Sequence, residues 1–287
     1  MITVKLNGGL GNQLFQYATG RALSLKWGVP LRLDTSNYLY YNVHPLRIQN
    51  MNHNCEIYSH AGRVYKAINS VKFQRLLSMF GLRSDLYIED SIEFDPAVLS
   101  LGPGATIYGY FQSEKYFSSI RERLLEEISV KDASLLPIRQ QIHDIKSCNN
   151  SISVHVRRGD YVTNASANDV HGLCKLNYFS SAVEFVLKSS KEKSAKIYVF
   201  SDDIEWCKSN LKLDYECIYI SGQENAPELD MHLMSLCKHN IISNSTFSWW
   251  AAWLNRNEEK VVVAPDKWFQ SKTLSSEDLV PGNWARL

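Results

Sequence analysis

The hydrophobic positions change period along this chain, and the changes mark its elements. Ile2 to Leu6 is β-branched and apolar and predicts a strand. Asn7-Gly8-Gly9-Leu10-Gly11-Asn12 follows, and then Leu14, Tyr17, Ala18, Arg21, Ala22 and Leu25 recur at three- and four-residue spacing, predicting a helix over 13–27. Gly28-Val29-Pro30 stops that helix before a strand at 31–34, which completes a βαβ unit. From Thr35 to Tyr110 the pattern is irregular, with a helix expected at 64–80 and strands near 86–88 and 106–110. Helical periods return at 113–128 and 132–145, where Asp132 is a candidate cap.

Ser147 to Ser151 reads as a linker, so domains are expected at 1–147 and 148–287. Beyond it, strands at 152–157, 196–201, 216–220, 240–243 and 260–264 alternate with helices at 177–190, 204–211, 228–239 and 246–254. Such alternation predicts an α/β fold with a parallel sheet wound by right-handed crossovers. Ligands of such sheets collect where strand carboxyl ends feed helix starts.

Composition narrows the function classes. Lys+Arg 31 against Asp+Glu 30 gives net +1, so no global field attracts nucleic acid or anionic lipid, and any anion site must be local. Six cysteines without a CxxC pair read as free thiols. No signal peptide and no apolar run long enough for a bilayer are expected, which implies a cytoplasmic protein.

Five segments could carry chemistry. His155-Val156-Arg157-Arg158-Gly159-Asp160-Tyr161 ends a strand; alternation puts His155 and Arg157 on one face, so Arg157 is read as an anion ligand and Arg158 as a partner of Asp160. Ser243-Asn244-Ser245-Thr246 opens a helix whose N–H groups, with the hydroxyls of Ser245 and Thr246, would cradle phosphate, unless those residues simply cap it. Asp230 shares a stripe with Leu233, Met234 and Cys237, where a carboxylate needs a partner; a guanine donor pair and a helix-dipole position are both open. Ser201-Asp202-Asp203 closes a strand, where Asp202 is either a nucleotide contact or, like Ser201, a helix cap. No two aspartates stand two positions apart, so the DxD pair that presents a divalent cation to nucleotide-sugars is missing. Gly9-Leu10-Gly11-Asn12-Gln13-Leu14, with Asp34 ending the next strand, approaches a dinucleotide fingerprint but has Leu14 in place of the third glycine; Asn12 and Gln13 offer amides instead.

Gly8 to Ala18, His155 to Tyr161, Phe200 to Asp203 and Asp230 to Trp250 together resemble glycosyltransferase family 11, the α-1,2-fucosyltransferases. The resemblance implies a GT-B-like architecture, two Rossmann-like domains facing a central cleft, with GDP-fucose held by the second domain and a galactoside acceptor on the side of the first. It implies inverting transfer without a metal or other cofactor. His155 and Asp230 would lie near guanine, and Arg157, Ser245 and Thr246 on the β-phosphate. Gly11 and Asp202 complete the donor set, and Asn12 would face the reacting centre. Asp160, or alternatively His171, is the candidate base. A bacterial enzyme meeting membranes at most peripherally, through lipid-linked acceptors, follows from the family pattern. The rivals are the same donor with an α-1,3 or α-1,6 linkage, a Rossmann oxidoreductase using Gly9, Gly11 and Asp34, and a glycan-binding module with Trp249, Trp250 and Trp253 as its platform.

Overall fold

A computed structural model describes the chain except residues 62–84, 160–161, 163–168, 170–171, 192, 224 and 272. Its contacts divide it into two compact units, Met1–Ser129 and Val130–Leu287. The helix expected at 64–80 lies outside the described residues.

The first unit is built on five parallel strands, β1 (Ile2–Lys5), β2 (Leu31–Asp34), β3 (Glu56–Tyr58), β4 (Leu86–Ile88) and β5 (Thr106–Tyr108), in the order β3-β2-β1-β5-β4. Between β1 and β2 runs α1 (Leu10–Trp27), which begins three residues before the expected start because Leu10, Gly11 and Asn12 already form its first turn. A Cβ on Gly20 would lie 2.3 Å from Val4 Cγ2 and 2.9 Å from a Leu31 methyl. The close helix-to-sheet approach that a third fingerprint glycine would allow is therefore made by Gly20, further along the same helix. Short 3₁₀ segments replace the opening turns expected to be α-helical at 113–128, and α2 (Arg121–Glu127) closes the unit.

The second unit opens with another 3₁₀ segment, Asp132–Ile138, which contains Pro137 and so lacks an interior donor. Asp132 falls in its first turn and Lys131 at the cap position, contrary to the expected role of Asp132 as a cap. Then comes α3 (Arg139–Ser147), which packs on α6 (Pro227–Leu236), so that residues 130–147 pack with the second unit rather than the first. Six parallel strands follow: β6 (Ser151–Val156), β7 (Lys196–Ser201), β8 (Glu216–Tyr219), β9 (His239–Ile241), β10 (Val262–Ala264) and β11 (Ala285–Arg286). Their order is β11-β10-β9-β6-β7-β8. The intervening helices are α4 (Leu176–Ser190), α5 (Ile204–Asn210), α6 and α7 (Thr246–Leu254).

Each sheet is α/β and Rossmann-like, as expected, and each reverses its strand order at its first strand. On β6, Ile152, Val154 and Val156 join Phe179, Ala182, Val183 and Val186 of α4 in the core. The alternate residues Ser153 and His155 take the other face, where Ser153 Oγ accepts a 2.7 Å bond from Asn240 of β9. Trp249, Trp250 and Trp253 are fully buried and pack ring against ring with one another. They are core, which removes the platform that a glycan-binding module would need.

Candidate functional site

The reversal in the second sheet falls between β6 and β9, and ligand sites of open α/β sheets lie outside the carboxyl ends at such a point. Two candidate groups meet there. Arg157 leaves β6, and α7 starts five residues after the end of β9. Ser243 joins them: its hydroxyl donates to the His155 carbonyl at 2.6 Å and accepts the Arg157 N–H at 3.1 Å.

Ser245 occupies the N-cap position of α7 in extended conformation, yet its side chain makes no capping bond. Thr246 is the first helical residue and is half-buried. The opening N–H groups of this nine-residue helix and its positive dipole end thus stand beside the loop that carries Arg157. At the other end of α7 the Lys260 ammonium donates to the carbonyls of Ala252 and Asn255 at 2.8 and 2.6 Å, satisfying the negative pole.

The Arg157 guanidinium lies 2.8 Å from Asp202 Oδ2, and both side chains are about one-quarter exposed, at 26% and 25%. The other Asp202 oxygen accepts the Arg158 N–H at 2.8 Å. Gly159 makes room for this carboxylate, since a Cβ there would sit 2.5 Å from Asp202 Oδ2. Arg158 turns the other way: its Nε donates to Asp203 at 3.2 Å and its guanidinium lies 3.6 Å from the centre of the Trp206 ring. Asp203 also caps α5 by accepting the Trp206 N–H, the task the sequence had offered to Ser201 or Asp202. The expected partner of Arg158, Asp160, lies outside the described residues, as does His171, so both base candidates do.

His155 is 4% exposed, its ring is 5.6 Å from that of Phe247, and its Nδ1 has no hydrogen-bond partner. Burial pushes its pKa down from 6.5 to about 4; Asp202 opposes the shift and Arg157 adds to it. The imidazole is therefore neutral at physiological pH, with one donor and one acceptor nitrogen. Asp230 sits half-buried in the first turn of α6.

The first sheet reverses between β1 and β5. There Asn12 accepts a 2.9 Å bond from Gln112, and Gly8, at φ +81°, leaves space for the Asn12 amide that a Cβ would meet at 2.6 Å. Gln13, expected to offer its amide to a ligand, spends it internally: Nε2 donates to the Gly8 and Pro45 carbonyls, and Oε1 accepts from Arg47 and Ile48. Gly11 is a buried helix residue beside it. Asp34, the acidic residue of the dinucleotide alternative, accepts the Ser36 N–H and is buried. Ser243, Asp203, Trp206 and Gln112 were not assigned these roles from sequence; only Asp203, next to a helix start, carried a local signal.

The family model described as "Glycosyl transferase family 11" matches residues 94–287. Alpha-1,2-colitosyltransferase of Escherichia coli is 34% identical over all of this chain and 99% of its own length. O-antigen biosynthesis glycosyltransferase WbnK of the same species is 32% identical, covering 98% and 99%. Galactoside alpha-(1,2)-fucosyltransferase 2 of Hylobates lar is 24% identical over 88% of this chain and 69% of its own. Among solved structures, NodZ alpha-1,6-fucosyltransferase soaked with GDP-fucose aligns at TM-score 0.51 with 17% identity, covering 88% of this chain and 92% of that one. A mutant of Arabidopsis thaliana FUT1 in complex with GDP aligns at 0.54 with 11% identity, covering 99% and 75%. The likeness to these two structures concerns the fold, which is that of GT-B-like fucosyltransferases.

Proposed function

The chain belongs to glycosyltransferase family 11, and from that premise we propose that it transfers L-fucose from GDP-β-L-fucose, with inversion, to O-2 of a terminal galactose on an oligosaccharide or glycolipid precursor in the cytoplasm. One observation carries the proposal: Arg157 and the uncapped start of α7 stand at adjoining strand ends, tied by Ser243. A forked cation beside a helix N-terminus fits a diphosphate.

In this reading the acceptor hydroxyl attacks the anomeric carbon from the face opposite GDP, so a β-linked donor gives an α-linked product. Charge grows on the leaving diphosphate, and Arg157 with the N–H groups at Thr246 stabilises it without a resident metal or cofactor. The missing DxD pair supports that division of labour. Neutral His155 and the Asp230 carboxylate read guanine, and Ser245 adds its hydroxyl. Asn12 serves the reacting centre, and Gly11 and Asp202 complete the donor-binding set. Asp160 takes the acceptor proton, with His171 as the alternative base. Contact with a membrane, where it occurs, is peripheral and made through a lipid-linked acceptor.

The test is product analysis by NMR after incubation with GDP-fucose, EDTA and a panel of galactosides. An α-1,2-linked fucoside formed in EDTA is the expected result. An α-1,3 or α-1,6 product corrects the linkage, and a requirement for added metal removes Arg157 from its assigned role. Because a relative at 34% identity is a colitosyltransferase, GDP-colitose belongs in the same panel; its preference over GDP-fucose would reassign the donor sugar alone.

A further inference from the structure

The turn after β5 is built at a conformational cost. Glu89 follows β4, and its N–H joins the ladder to the Tyr108 carbonyl at 2.9 Å. Its carboxylate then reaches across and grips the next turn, accepting the Tyr110 N–H at 2.6 Å and the Phe111 N–H at 2.9 Å. Gly109 admits this approach, since a Cβ there would sit 2.4 Å from Glu89 Cβ. Phe111 is forced to φ +53°, a region that side-chain-bearing residues avoid. Its ring is fully buried and stands edge-on to Tyr116, which holds the strained residue in place. Strain maintained in this way collects at ligand sites.

What the strain achieves is the outward throw of Tyr110. With Phe111 turned into the core, the ring between it and Gly109 is 40% exposed. It does not swing freely, because its hydroxyl accepts a bond from the Asn7 amide at 3.3 Å. Gln16 fixes the spacing beneath, accepting the Asn7 N–H at 3.1 Å and donating to the Gly109 carbonyl at 2.8 Å. Two residues further along the chain is Gln112, which donates to Asn12 at 2.9 Å. An exposed aromatic ring tied to the Asn7 amide thus precedes by two residues the Gln112 carboxamide that reaches Asn12, in the turn that leaves β5.

We propose that Tyr110 is the platform on which the acceptor galactose stacks, with the amides of Asn7 and Gln112 meeting its hydroxyls. Aromatic rings pack against the C–H face of a hexose, and amides supply the donors and acceptors that a polyol needs. Among the described residues the partners of Tyr110, Asn7 and Gln112 are amides, a hydroxyl, main-chain groups and the Glu89 carboxylate, a set that suits a neutral sugar. The proposal rests on the reading of the chain as a galactoside-modifying transferase, and it adds the residue that holds the acceptor.

The experiment is saturation-transfer NMR with methyl β-galactoside on the full chain, comparing wild type with Tyr110→Ala, Tyr110→Phe and Glu89→Gln, alongside GDP affinity for each. Tyr110→Ala should weaken galactoside binding about tenfold and leave GDP affinity within twofold. Tyr110→Phe should keep most of the binding, and Glu89→Gln should lose part of it. Unchanged galactoside binding in a Tyr110→Ala protein that still binds GDP would overturn the platform, and so would a parallel loss of both ligands. Failure of the donor reading looks different: wild-type protein would then not bind GDP, whatever happens at Tyr110. In turnover, the same variant should raise the acceptor KM more than it lowers kcat.

Discussion

Arg157 and Asp202 form an ion pair 2.8 Å long at the carboxyl edge of the second sheet, and the same carboxylate holds the backbone N–H of Arg158. The guanidinium is thereby aimed by a neighbour that directly follows another strand, β7.

Arg157→Ala should therefore lower kcat/KM by at least about 10²–10³-fold, the usual loss when one preorganised donor is removed from developing charge. The melting temperature should move little, because the main-chain bonds to Ser243 and Asp202 remain. Arg157→Lys should recover only part of the rate, since an ammonium is a point donor and cannot fork. Steady-state kinetics beside a thermal melt checks both statements; a folded alanine variant with normal turnover would remove Arg157 from the mechanism.

His155 should make the protein acid-sensitive. Its folded pKa is about 4 against an ordinary 6.5, so between those values the unfolded chain binds the additional proton and stability falls as pH falls. The full shift corresponds to about 3 kcal/mol. Denaturation midpoints measured from pH 7 to pH 4 should decline less steeply in His155→Gln. Arg157 and Asp202 face the ring in both proteins, so the difference isolates the imidazole.

Glu127 is a second acid-sensitive group. Burial pushes its carboxyl up, but the hydrogen bonds from Arg21 and Tyr17 outweigh burial and leave the pKa below the usual value. Its stabilisation is present at neutral pH and is lost as pH drops through that lowered pKa. The Arg21 contact is bidentate, at 2.8 and 2.7 Å, between side chains 11% and 10% exposed. Glu127→Ala should cost about 3 kcal/mol in urea unfolding by stranding the guanidinium, whereas Arg21→Met with Glu127→Leu should recover most of it.

Gly20→Ala gains up to about 1 kcal/mol of helix propensity but drives a methyl into Val4 and Leu31. Overpacking of about 1–3 kcal/mol should win, visible as a lower denaturation midpoint with an unchanged m-value. An alanine variant as stable as wild type would mean that α1 can shift away from its sheet at no cost.

The alternating second unit was largely legible in the sequence, because strands such as 196–201 and the helix at 246–254 have local periods that tertiary contacts only reinforce. Strand alternation also placed His155 opposite the packed face of β6. What could not be read depended on partners far along the chain. β11 is two residues long and exists by pairing with β10. The edge strand β3 lies in the irregular stretch and is defined by its register with β2. The segments 114–120 and 132–138 have helical spacing but settle as 3₁₀ turns, the second around Pro137. Gln13 looked available because nothing local shows that Pro45, Arg47 and Ile48 will use up its amide.

The Ser243 hydroxyl has one more implication. By bonding to the main chain on both sides of Val156 it welds two strand tips into a jaw whose spacing is set by the protein's own bonds. On the proposed reading such a jaw would be indifferent to the sugar that dangles from the diphosphate, so that altering what surrounds that ring would exchange the transferred deoxyhexose without loosening the nucleotide.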